Sequence, residues 1–138
     1  MLCLVPQMRI REAATYLGVS DDTVRRWVER GLLPAGSDDA GRQVVDGYDV
    51  AMVAREHASP PAVPGGTASS ARNRFVGLVT DVQADAVMAQ VELQCGPFRV
   101  VSLMSSEAVR DLALERGSVA VAVIKSTNVV VETAGADR

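Results

Sequence analysis

Lysine is almost missing from this chain. Lys125 stands alone against 13 arginines, so its cationic chemistry is guanidinium chemistry with one exception. Aromatic side chains are nearly as scarce, at 4%. A core must therefore be built from Val, Ala, Leu and Ile. Phe75 and Phe98 are the only aromatics of the second half, too few for the stacking platforms that single-stranded nucleic acid uses. The single His57 argues against a histidine-built metal centre or a Ser-His triad. Cys3 and Cys95 are isolated and outside any CxxC pair, which reads as two reduced thiols and not a disulfide framework or metal site. No apolar run approaches the roughly 20 residues of a membrane helix. The opening "MLCLVPQMR" has no basic n-region and no small-residue cleavage site, so a cytoplasmic protein without a membrane partner is expected. No activated nucleophile, acid–base pair or phosphate loop is visible, and no enzyme is expected. The net charge of −3 gives no global attraction to nucleic acid, though a local patch is enough for binding.

What is present divides in two. The stretch "HASPPAVPGGTASS" has three prolines, two glycines and no Asp, Glu, Lys or Arg, which is linker composition. Expected boundaries are a first domain over 1–58, a linker over 59–69 and a second domain over 70–134. The expected class is α+β.

In the first half, Ile10, Ala13, Ala14 and Leu17 fall at i, i+3, i+4 and i+7, one face of a helix, and Gly18 ends it. Ser20 is a good N-cap, and Asp21 and Asp22 suit the first turn of a second helix. That helix, "DDTVRRWVER", turns Val24, Trp27 and Val28 inward and Thr23, Arg25, Arg26 and Arg30 outward. "SDDAGRQVVDG" reads as a small hairpin, and "YDVAMVAREH" returns to a helical pattern. The outward arginines suit either a solvated helix face or contacts to guanine edges and phosphates.

The block "REAATYLGVSDDTVRRWVERGLLP", resumed at "GRQVVDGYDV", resembles the MerR/excisionase-type winged helix-turn-helix. The resemblance implies that the helix beginning near Asp21 enters the major groove of an operator duplex. DNA contacts are then expected from Thr23, Arg25, Arg26 and Arg30, with Arg42 on the wing. Asp38 and Asp39 beside the wing depart from a phosphate-binding pattern.

The second half changes period. "RFVGLVTDVQ", "AVMAQVELQC", "FRVVSLM", "SVAVAVIK" and "NVVVET" are Val-rich segments, several alternating. "SSEAVRDLALERG" between the third and fourth carries helical spacing at Ala108, Leu112 and Glu115, with Gly117 as a stop. Five strands and one helix suggest a small OB-like β-barrel. Ser70, Arg72 and Asn73 open it, Ser105 opens its helix, and Lys125 and Ser126 close the fourth strand. Hydroxyls, amides and two cations suit a tetrahedral oxyanion, and equally suit capping and surface charge.

"SARN", "LALERG" and "VAVIKST" resemble the molbindin (TOBE or Mop) domain. The resemblance implies bound molybdate or tungstate, held as the oxyanion without direct protein–metal ligands. By match to the family pattern its residues are Ser70, Arg72, Asn73, Ser105, Lys125 and Ser126, although Ala108 stands where a second hydroxyl is common. It also implies sites between subunits of a homo-oligomer, a dimer or a trimer of dimers. The two resemblances together imply a molybdate- or tungstate-responsive transcriptional regulator. The alternative is an intracellular molybdate or tungstate storage or buffering protein.

Overall fold

The computed structural model describes residues 6–57, 61 and 68–133. The chain separates into two compact units, Met1–Ser59 and Pro60–Arg138. Most of the linker expected over 59–69 lies outside the described residues, as does Cys3.

The first unit begins with strand β1 (Gln7–Arg9), followed by helices α1 (Ile10–Leu17) and α2 (Asp21–Glu29). Gly18 caps α1 in the left-handed region, φ 69°, which favours glycine. Ser20 caps α2, its side chain accepting from the Thr23 amide at 3.2 Å. Strands β2 (Ala35–Ser37) and β3 (Gln43–Asp46) form the expected hairpin. β1 pairs with the other edge of β3, giving the sheet order β1-β3-β2. Helix α3 (Gly47–His57) closes the unit. Val24 and Leu33 are wholly buried against Ile10, Ala13, Val45, Val50 and Val53. Trp27 packs at the rim, its ring 4.9 Å from that of His57.

The second unit is a curled antiparallel sheet ordered β6-β5-β4-β7. Its strands are β4 (Asn73–Ala84), β5 (Met88–Cys95), β6 (Phe98–Ser105) and β7 (Val119–Ile124), with helix α4 (Ser106–Asp111) between the last two. β4 bends at a bulge between Val79 and Asp81. It pairs with β7 over Asn73–Leu78 and with β5 over Leu78–Ala84, so Leu78 has a partner on each side just before the bend. A bulge sharpens the local twist, and here it curls the sheet over Val79, Ala89, Val91, Leu93 and Val109. Gly77 permits the close approach of β5: a Cβ there would meet the Gln94 carbonyl oxygen at 2.5 Å and Cys95 Sγ at 2.6 Å.

Two expectations fail. The fifth strand is absent: after β7 the chain makes a short 3₁₀ turn, Ser126–Asn128, and Val129–Val131 follow without pairing. Valine-rich alternation supplies propensity, but a strand needs a pairing partner, and none of the described strands pairs with this segment. The helix is also shorter than its periodicity suggests. Ala113 adopts φ 52°, and the Leu114 amide donates back to the Val109 carbonyl. This C-terminal cap reverses the chain, leaving Leu112 exposed and Gly117 in a later turn.

Candidate functional site

The exposed side of α2 carries Arg25, Arg26 and Arg30. Arg25 is held by Asp22, Nη1 to Oδ1 3.1 Å. Among the described residues Arg26 and Arg30 enter no ion pair. Thr23 is half-buried, and its hydroxyl lies 2.9 Å from that of Ser20, so it is engaged in the cap. Arg42 is less free than expected. Asp38 accepts its backbone amide at 2.9 Å and its Nε at 3.0 Å. The Arg42 amide, then its guanidinium, hold the Asp38 carboxyl below its ordinary range. Asp38 thus fastens the hairpin loop and neutralises the cation beside it.

In the second unit the sheet gathers one group of the expected anion residues. Asn73 pairs with Ile124 across β4 and β7, and its Nδ2 donates to the Ile124 carbonyl at 3.2 Å. Ser70, Arg72 and Asn73 therefore stand beside Lys125 and Ser126 at one end of the sheet. Arg72 folds back, its Nη1 donating to the Ser69 carbonyl at 3.3 Å. Lys125 is exposed and lies just past β7, not inside a pocket.

Ser105 is elsewhere. It pairs with Met88 at the far end of β5, beside the last residues of β4. β4 is 12 residues long, so roughly 36 Å of strand path separates its two ends at about 3.3 Å per residue. Ser105 Oγ accepts the Ala108 amide at 3.1 Å, an ordinary helix cap. The neighbouring Ser106 points inward. It is buried, and its hydroxyl donates to the Asp85 carbonyl at 2.8 Å.

Comparison with known proteins assigns both halves. Residues 8–45 match the helix-turn-helix domain model, and residues 69–131 match the TOBE domain model. Molybdenum-pterin-binding protein 3 of Clostridium pasteurianum is 40% identical over 63 residues, 45% of this chain and 93% of that protein. The chain belongs to the TOBE family of molybdenum-pterin-binding proteins. Its TOBE domain is joined to a helix-turn-helix domain that lies outside that match. Among solved structures, MopII from Clostridium pasteurianum is 33% identical, covering 48% of this chain and all of that one (100%), with TM-score 0.45. The cytoplasmic molybdate-binding protein ModG, solved with molybdate bound, is 39% identical over 47% of each chain, with TM-score 0.46.

The TOBE domain also has an apolar hollow of about 540 Å³ inside the curl, reached by Val91, Val100, Met104, Leu114 and Val121. In the helix-turn-helix domain, sequence reasoning passed over Arg9 and Arg11, which line a cleft with Arg25. A signal was present: Arg11 sits in the first turn of a helix, where the dipole favours acids over bases.

Proposed function

We propose that the chain is a molybdate- or tungstate-responsive DNA-binding transcriptional regulator. The TOBE domain takes the oxyanion and the helix-turn-helix domain takes duplex DNA. The carrying observation is the union of a helix-turn-helix domain, with exposed arginines on α2, and a domain related to proteins named for molybdenum.

The anion site is proposed to lie between copies of the chain. A desolvated dianion needs cations and N–H donors in place of water. One chain gathers Ser70, Arg72, Asn73, Lys125 and Ser126 at one end of the sheet and leaves Ser105 at the other. A second copy presenting its Ser105 end completes the set, so the binding species is a homo-oligomer. The bare segment Val129–Val131, with Val130 and Val131 84% and 85% exposed, supports burial in an assembly. Sensing is then linkage: the anion selects one subunit arrangement, which sets the separation of two helix-turn-helix heads on DNA.

Storage or buffering is the second reading. It is favoured by relatives that match the TOBE half over 93% of their own length, leaving little room for a DNA-binding half. Calorimetric titration with molybdate, with sulfate as competitor, tests the ligand. DNA affinity measured with and without saturating molybdate separates the readings. A regulator changes that affinity; an unchanged affinity leaves storage.

A further inference from the structure

We propose that a cleft at the junction of β1, α1, α2 and β3 seats the phosphate backbone of the DNA, with Arg9 and Arg11 as its anchoring cations; this rests on the DNA-binding reading above. The cleft measures about 720 Å³ and brings Arg9, Arg11 and Arg25 together with Thr15 and Gln43. Three of the four contributing elements, β1, α1 and α2, are consecutive in the chain, and β3 joins them from further along. β1 is the reason. Its pairing sets Arg9 opposite Val44, so the start of α1 is laced to the hairpin beside Gln43. The cleft therefore runs from the hairpin to the first turn of α2, flanking the arginine-bearing face of that helix.

Ion pairing separates Arg9 and Arg11 from Arg25 and Arg42. Arg25 is paired with Asp22 and Arg42 with Asp38. Arg9 and Arg11 are exposed and, among the described residues, enter no ion pair. Arg9 occupies the N-cap position of α1 without making a capping hydrogen bond. Glu12 and Asp21 also line the cleft, each in the first turn of its own helix. With Arg25 held by Asp22, the guanidinium groups of Arg9 and Arg11 stand with the carboxylates of Glu12 and Asp21, and Gln43 and Thr15 add neutral hydrogen-bonding groups. Two exposed guanidinium groups without an ion pair, beside the arginine-bearing helix, suit phosphates along a repeating backbone, because backbone contacts fix register without reading sequence. Arg26 and Arg30 on α2 are left for base edges.

The test uses the full chain and a fluorescein-labelled random-sequence duplex of about 30 base pairs, titrated at several salt concentrations. Each phosphate contact contributes about one to the slope of log affinity against log salt. Arg9→Gln with Arg11→Gln should lower that slope by about two and weaken binding on the order of tenfold per arginine. The loss should be equal on random duplexes and on duplexes enriched from a random pool. Arg9→Lys with Arg11→Lys keeps the charge and should restore the slope. An unchanged thermal melt in all variants confirms that the fold is intact. If wild-type protein binds duplexes and the double Gln variant keeps the wild-type slope, the cleft assignment is overturned while recognition by α2 stands. If wild-type protein binds no duplex, random or enriched, the DNA reading falls and takes the cleft with it.

Discussion

Lys125 carries its ε-ammonium into solvent, directly after a strand whose partner begins at Asn73. A compact ammonium can approach a tetrahedral dianion where a planar guanidinium is too broad. Hydrogen bonds to a charged group are worth about 1.5–3 kcal/mol. Lys125→Ala should therefore weaken molybdate binding at least tenfold, about 1.4 kcal/mol. Lys125→Arg should also lose affinity, with the ligand-free melting temperature held, and calorimetric titration checks both. Wild-type affinity in Lys125→Arg refutes a shaped anion site. Gly77 gives a second residue-scale expectation. The atoms a Cβ would strike include the Gln94 carbonyl oxygen at 2.5 Å, and backbone cannot swing aside. Gly77→Ala should cost ~1–3 kcal/mol, the usual range for overpacking, read as a drop in the TOBE domain's melting temperature.

Among the elements, α2 is the part the sequence described best. Its cap, acidic first turn and buried Val24 are all local chemistry, and local chemistry is legible in one chain. Arg26→Ala with Arg30→Ala should weaken operator binding by ~1–3 kcal/mol per base-reading contact and leave molybdate affinity unchanged. Equal operator affinity in the double variant refutes α2 as the reading helix. The hairpin yields a pH expectation. The Arg42 amide and guanidinium hold the Asp38 carboxyl below its ordinary 3.8. The ionised form therefore stabilises the fold above that value, and the contribution is lost as pH falls through the folded-state value. Trp27, the only tryptophan, reports melting of the first unit. Wild type should melt higher than Asp38→Asn at neutral pH, and the gap should close in acid; a gap independent of pH refutes the assignment. Other elements were hidden for physical reasons. β1 is three residues long, too short to show a period, and exists only because β3 offers it an edge. Val129–Val131 had the right pattern and no pairing partner among the described strands. The cap at Ala113 cut α4 short without the glycine that usually announces one. Ser105 was recognisable as a helix start, but its distance from Lys125 depends on strand pairing, which spacing alone does not encode.

At the scale of the whole molecule, the proposed anion site, shared between the Ser105 end of one copy and the Lys125 end of another, would make association part of ligand binding. Anything that binds only the assembled form drives assembly by mass action. Molybdate should shift the chain toward larger species in sedimentation, and apparent affinity should fall on dilution. A species of single-chain mass that binds molybdate at full affinity refutes the shared site. The near-absence of lysine has a practical consequence of another kind. An acylating reagent finds one side-chain amine in the entire protein, and that amine is exposed. Its rate of modification, read from the mass of a single peptide, is thus a footprint of Lys125 alone. Dicarbonyl reagents, which modify guanidinium groups, address arginines of both units, and those of the first unit are read from their own peptides. The two proposed ligands can therefore be footprinted by different reagents in one sample.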